Sequence, residues 1–392
     1  MKRWQRAVGL GAGAVVALGL AGFFGFVPGI VDARANSVVT SPPYRASERA
    51  QRLHASLTIA DLHADLLLWP RDPLWRGRRG HTDVPRLIEG NVALQVFSAV
   101  TKAPRGLNYE RNAGTSDMVT PLVVAERWPS ATWTSLTARA LYQSHRLHQA
   151  AARSAGRLVV IRSAAELDRY LARRRAEPGL TAGLLAIEGL HALDGKLENL
   201  DTLYAAGFRM MGLVHFFDNE VAGSAHGVGK GGLTPLGRAA IRRMEQLGVL
   251  VDLAHAAPRT IDDVLEVATR PVVVSHTGVQ GTCPGPRNLS DQHVRRIAAR
   301  GGVIGIGFWN AAVCDISPAG IARAIRYAAD LAGVEHVALG SDFDGATRTY
   351  FDASGLVLVT DALLAAGFTP REIALIMGEN AVRLLRASLP RE

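Results

Sequence analysis

The sequence predicts an α/β fold: a closed (β/α)8 (TIM) barrel with a helical insertion between strands two and three, preceded by an N-terminal hydrophobic anchor or signal. Three observations carry this expectation. Eight short apolar segments recur along the chain, helical patterns with capping punctuation fill most gaps between them, and titratable residues stand at six of the eight segment ends. Short β-branched runs alternating with helices favour a parallel sheet, and eight such units favour closure. A chain of 392 residues, 48% hydrophobic and 20% charged, is large and apolar enough for one barrel with insertions.

Taken in order, the chain opens with Lys2, Arg3 and Arg6 ahead of an almost uncharged run from Ala7 to Val31. Such a run can cross a bilayer, which takes roughly 20 apolar residues. Its positive flank should stay cytoplasmic, with everything after it on the extracytoplasmic side. Ala33-Arg34-Ala35 leaves signal cleavage and secretion as the alternative. Residues 1–35 therefore read as basic flank plus anchor or signal, and 36–392 as a single barrel domain. Gly9, Gly11 and Gly13 imitate part of a dinucleotide loop, but no strand precedes them.

Residues 36–56 read as a linker and a short amphipathic helix. The strand segments are 57–62, 92–98, 182–187, 209–214, 249–254, 271–275, 302–308 and 336–341. Thr234-Pro235 opens a helix that Gly248 closes, Ser317-Pro318 opens another, and Thr369-Pro370-Arg371-Glu372 is a capping box with proline at the first helical position. The gap from 98 to 182 is far longer than a usual loop. Within it, 115–154 and 163–175 read as helices, an insertion over 115–175 that can serve as a lid, as the surface of a homodimer, or as both.

Composition narrows the function classes. Lys and Arg outnumber Asp and Glu by 44 to 35, a net charge of +9. The densest basic runs, Arg76-Arg78-Arg79 and Arg173 to Arg175, form no stripe interleaved with aromatics, which argues against nucleic-acid binding. The two cysteines, Cys283 and Cys314, fit neither a disulfide framework nor a metal knuckle and can form at most one bridge.

The chemistry concentrates at strand ends. In TIADLHADLLLW (58–69), Asp61, His63 and Asp65 alternate on one face of an extended segment, where burial is costly without a compensating cation. Glu188 ends the third segment, His215 the fourth, His255 the fifth, His276 the sixth and Asp342 the eighth. In a barrel, those ends converge on one rim. His63 and Asp65 can then reach one ion, His255 and His276 a second, and Glu188 has an oxygen for each. Imidazole and carboxylate donors without thiolates favour zinc. Two such ions roughly 3.5–4 Å apart would hold a bridging hydroxide and polarise a carbonyl.

The motifs DLHAD, IEGLH, LVHFFDN, DLAHA, SHTGV, PRNLSD and GSDFDG occur in this order, and from about residue 52 to GENAVRLL the chain resembles the membrane (renal-type) dipeptidases, a branch of the amidohydrolase barrels. The resemblance implies zinc-dependent cleavage of dipeptides, including tolerance of a C-terminal D-residue. It implies His63 and Asp65 as first-zinc ligands, Glu188 as the bridge of two zincs per chain, and His255 and His276 as second-zinc ligands. His215 would contact the scissile carbonyl or the tetrahedral intermediate, Arg287 would hold the terminal carboxylate, and Asp342 would shuttle the proton. The alternative is another binuclear-zinc amidohydrolase acting on N-acyl amino acids, esters or lactones. Trp309 stands where active dipeptidases of this kind often carry Tyr, which bears on the substrate side chain.

Other residues compete for attention. His145 and His148 lie i, i+3 on a helix with no carboxylate partner and read as an exposed pair. His54, His81, His226, His293 and His336 read as structural or surface, and His191 as a minor site-lining option. Ser224 to Gly232 lacks the first Gly and the Ser/Thr of a phosphate loop and reads as a pocket rim. Asp252 reads either as a residue orienting a ligand or as an acid of the barrel interior, and Asp344 as the runner-up to Asp342.

Overall fold

The computed structural model describes residues 19 and 21–392. Its strands are β1 (Ile59–Ala64), β2 (Val92–Val100), β3 (Leu158–Val160), β4 (Thr181–Glu188), β5 (Phe208–Gly212), β6 (Leu250–Asp252), β7 (Val273–Thr277), β8 (Val303–Ile306) and β9 (Val337–Leu339). All pairings are parallel, in the order β2-β1-β9-β8-β7-β6-β5-β4, and β2 also pairs with β4. That last pairing, from Leu94↔Ala182 to Val100↔Glu188, closes eight strands into a ring. Each predicted segment overlaps one barrel strand. β3 was not predicted: it is three residues long and adds to the start of β4 outside the ring.

The predicted helix starts hold. Thr234, Ser317 and Thr369 each cap the backbone of a helix that begins with proline, and Thr369 with Glu372 forms the capping box. Between β2 and β4 the chain forms helices Val119–Ala125, Leu136–Arg153 and Ala164–Ala176. The strands separate two apolar clusters: Leu94 and Val96 of β2 share one with Tyr170 and Leu171, while Phe97 and Ala99 share the other with Leu147. Leu94 and Val96 thus join residues of all the other barrel strands in the interior, while the alternate residues face the surrounding helices, as a strand's period of two requires.

The predicted membrane-crossing run begins at Ala7, so much of it lies outside the described residues. Its described part, 21–31, belongs to a helix over 21–35 that lies against the barrel. Among the described residues no helix is long and apolar enough to cross a membrane. Asp32 seats this helix: it is fully buried, with Oδ2 3.0 Å from Arg71 Nε and Oδ1 accepting from Asn36 Nδ2 at 3.0 Å. Arg71 in turn pairs with Asp344 at 2.7 Å. The chain after the helix then runs along the loop that follows β9, through Val39 N to Thr349 O and Thr40 N to Tyr350 O.

Cys283 and Cys314 form a disulfide, with Cα atoms 5.4 Å apart. It links the loop after β7 to the short helix Asn310–Val313 that follows β8.

Candidate metal centre

The strand ends bring the expected side chains to one rim. Glu188, the last residue of β4, is the hub. Its Oε1 lies 2.9 Å from His255 Nε2, 3.2 Å from His276 Nε2 and 3.7 Å from His63 Nε2, and its Oε2 lies 3.3 Å from His215 Nε2. His63 Nε2 is also 3.4 Å from Asp65 Oδ2 and 3.9 Å from Asp342 Oδ1. Potential donor atoms fall into three overlapping groups: His63–Glu188–His276, Glu188–His215–His255, and His63–Asp65–Asp342. All seven residues are buried. The resemblance pairs His276 with His255; the structure also stacks it on His63, ring centroids 3.7 Å apart, and leaves the His255 and His276 Nε2 atoms 3.0 Å apart.

Backbone strain helps to aim two of these groups. His255 and Asp342 have φ of 63° and 59°, left-handed values that side-chain-bearing residues adopt at a cost. Gly345 makes room for Asp342: a Cβ there would lie 2.0 Å from Asp342 Oδ1.

The tautomers suit a cation. Ser275 Oγ donates to Asp252 Oδ2 at 2.5 Å and so accepts from His276 Nδ1 at 2.9 Å, which turns the lone pair of Nε2 toward Glu188. Asp252 therefore orients a site residue, one of the two readings its position allows, and it does so through Ser275, which nothing in the sequence marks. His215 donates from Nδ1 to Lys102 O at 3.2 Å, so its Nε2 faces Glu188 as a second acceptor. Acceptors facing acceptors at these distances need a proton or a metal between them. His63 Nε2 and Asp65 Oδ1 are buried without a hydrogen-bond partner. Nitrogen and oxygen donors, with no sulfur, fit a divalent cation of the zinc class.

The electrostatics point the same way. Burial and then Asp65 push Glu188 well above the carboxylate range. Burial also raises Asp342 to about 8, against the pull of His63 and with Asp65 adding repulsion. Burial would lower His63, but Asp65, Glu188 and Asp342 outweigh it and carry it up to about 10. Burial drives His215, His255 and His276 well below their ordinary value; His191 adds for the first, Arg287 for the second and His63 for the third. A cluster that strains its own charges this way is stabilised by added positive charge.

Arg287 stands beside the cluster, its Nη2 donating to His276 O at 2.8 Å, with its guanidinium 5.1 Å from the centre of the Trp309 ring. Trp309 Nε1 donates to Tyr109 Oη at 3.1 Å, so a phenol from the long β2–β4 connection reaches the site. No pattern around Tyr109 marks it in the sequence.

The competing residues separate cleanly. Asp344 binds Arg71 and the backbone nitrogens of His81 and Thr82 and takes no part in the cluster, which distinguishes it from Asp342. Asp61 accepts from Ser341 N at 2.8 Å, Ser341 Oγ at 2.6 Å and Gln95 Nε2 at 2.7 Å, tying β1 to its neighbours. His191 is buried against Phe217, outside the three donor groups. His145 is exposed, but His148 is half-buried against Ala206 O. In the Ser224–Gly232 loop the Asp218 carboxylate accepts from the Ser224, Gly229 and Lys230 nitrogens, so that nest already holds an anion from the chain itself.

Comparison with known proteins agrees with this geometry. Residues 47–389 match the membrane dipeptidase (peptidase family M19) model. The dipeptidase verJ of Clonostachys rogersoniana is 30% identical over 315 residues, covering 79% of this chain and 76% of its own. A protein of Klebsiella pneumoniae described only as encoded 5′ of pqqA is 34% identical over 255 residues, 61% of this chain and 92% of its own. Among solved structures, a metallopeptidase from Rhodobacter sphaeroides liganded with a phosphinate mimic of L-Ala-D-Ala is 25% identical, with a TM-score of 0.67 over 85% of this chain and 99% of that one. An eight-stranded barrel whose rim gathers histidines and carboxylates around Glu188, in a chain matched from 47 to 389, belongs to the membrane dipeptidase family, peptidase family M19, and is a metallo-dipeptidase.

Proposed function

We propose that the protein hydrolyses dipeptides with two zinc ions per chain: one held by His63 and Asp65, the other by His255 and His276, both by Glu188. The observation that carries this reading is the placement of Glu188 Oε1 within 2.9–3.7 Å of three histidine nitrogens, with Oε2 free to face a fourth. When bound, the ions supply Lewis acidity, lowering the pKa of water and polarising the scissile carbonyl. The chain's own residues do the rest. Arg287 offers a guanidinium fork to the substrate's terminal carboxylate, which excludes longer peptides at that end. His215, held by Lys102 O, presents Nε2 beside Glu188; once that nitrogen takes a proton it can donate to the carbonyl oxygen as the carbon becomes tetrahedral. Asp342 takes a proton from the attacking water as the C–O bond forms, and returns it to the amine nitrogen as the tetrahedral carbon collapses and the C–N bond breaks.

The phosphinate-dipeptide ligand of the Rhodobacter sphaeroides relative supports including dipeptides with a C-terminal D-residue. Incubation with a dipeptide panel should release free amino acids, lose that activity to a chelator and regain it with zinc. Turnover of N-acyl amino acids, with no dipeptide cleaved, would overturn the reading. We also propose an extracytoplasmic location, supported by the Cys283–Cys314 disulfide. Thiols that label freely in the denatured, unreduced protein taken from cells would count against it.

A further inference from the structure

The rim carries a cavity of ≈ 400 Å³ that the proposed chemistry leaves unused. Its floor is Asp65, Glu188 and His215, so it opens directly on the metal cluster. Its walls are almost wholly apolar: Leu107, Met118 and Leu122 from the β2–β4 connection, and Phe23, Val27 and Val31 from the N-terminal helix. The last three recur at i, i+4 and i+8, so they form one stripe along one helix face. Arg287 does not line this cavity. A dipeptide whose carboxylate is at Arg287 and whose carbonyl is at His215 would therefore extend its first residue into the cavity.

The helix that supplies one wall lies outside the 47–389 segment matched to the family, yet it is fixed in place. Asp32 is fully buried against Arg71, and Arg71 holds Asp344, two residues from Asp342. Asn36 Oδ1 accepts from Ala346 N at 3.0 Å, and Ala346 itself lines the cavity. Phe24 stacks under the Arg127 guanidinium, 5.5 Å from the ring centre. Cleavage after Ala35 would remove Asp32 and leave Arg71 and the cavity open on that side.

We propose that the helix over 21–35 is a retained wall of the substrate pocket, and that Phe23, Val27 and Val31 select dipeptides whose first residue has a bulky apolar side chain. This rests on the dipeptidase reading above. Those three side chains, 36–40% exposed, line the cavity, whereas Phe26, 71% exposed, is not part of its lining.

The test compares Phe-Gly with Gly-Gly as substrates of the full-length zinc-loaded protein. Phe23→Ala combined with Val27→Ala should lower the ratio of kcat/KM for Phe-Gly to that for Gly-Gly by on the order of tenfold, carried by KM, the scale of a lost apolar contact in a pocket. Phe26→Ala should leave the ratio where it was. An unchanged ratio in the double variant, with the wild type active, overturns the wall and leaves the dipeptidase reading standing. A wild type that cleaves neither substrate overturns the selectivity proposal, and one that cleaves no dipeptide of the panel overturns both readings. Intact-mass measurement of protein from its native host supplies a second readout: a chain beginning after Ala35 overturns the proposal, and one that keeps residues 21–35 supports it.

Discussion

Glu188 Oε2 and His215 Nε2 lie 3.3 Å apart, yet the chemistry assigns them different work. In the proposed two-zinc site Glu188 reaches both ions, so Glu188→Gln should drop bound zinc below two per chain and reduce kcat by at least on the order of a thousandfold. On the same reading, His215→Asn removes a group that meets the substrate rather than the ions. It should keep the metal and lower kcat/KM by about 10²–10³, the usual cost of losing one stabilising donor. Metal analysis beside kinetics checks both, and equal metal loss in the two variants would make His215 a ligand instead. At this scale the sequence was informative where a residue type is costly to bury. His63, Asp65, Glu188, His215, His255 and His276 could be read because charged or imidazole groups at apolar strand ends demand a partner. Ser275 and Tyr109 could not: a serine after three valines and a tyrosine in a long connection carry no such cost, and only the fold places them beside His276 and Trp309. Asp342 and Asp344 share one motif, and their roles separate only when Arg71 is seen to claim the second.

Arg71 is also where elements meet. It joins Asp32 of the N-terminal helix to Asp344 of the loop after β9 and donates from Nη1 to Thr82 O at 3.0 Å, all away from solvent. Burial would raise Asp344, but Arg71, followed by His81 and Thr82, holds it below the ordinary carboxylate range. Arg71→Met would strand two buried carboxylates, and breaking a buried pair from one side costs about 3–5 kcal/mol. Denaturant unfolding should show a loss of that size, and Arg71→Lys should restore little of it, because an ammonium cannot span both acids as a fork does. A loss under 1 kcal/mol would mean that water reaches the network. Element boundaries were readable where capping chemistry is explicit, as at Thr234, Ser317 and Thr369. β3 was not, because three residues are too few to show a period and its pairing comes wholly from β4.

For the molecule as a whole, closure depends on contacts between distant parts of the chain, and hydropathy alone reads these poorly. Residues 21–31 have the composition of a bilayer span, but apolar side chains satisfy an apolar cavity as readily as lipid, and the described helix lies on the barrel rim. A seam elsewhere in the fold is joined by His54, on helix Glu48–Ser56. Its Nδ1 lies 2.8 Å from Thr360 Oγ1 on helix Val357–Ala365, and its Nε2 lies 3.2 Å from Gly90 O. The carbonyl can only accept, so Nε2 carries the proton, and in the neutral ring Nδ1 accepts from the threonine. Burial accordingly pushes His54 down to about 4, partly offset by the bond to Gly90. A group whose folded pKa lies below its unfolded value stabilises the fold fully above the unfolded value, near 6.5, and that stability is lost as pH falls toward 4. The amount at stake is about 3 kcal/mol. Urea midpoints measured at fixed zinc from pH 7.5 to 4.5 should therefore fall steeply below pH 6.5. In His54→Gln, whose amide can still donate to Gly90 O without titrating, the decline should be shallower by that amount; curves for the two proteins that stay parallel would show that the seam tolerates a charged ring.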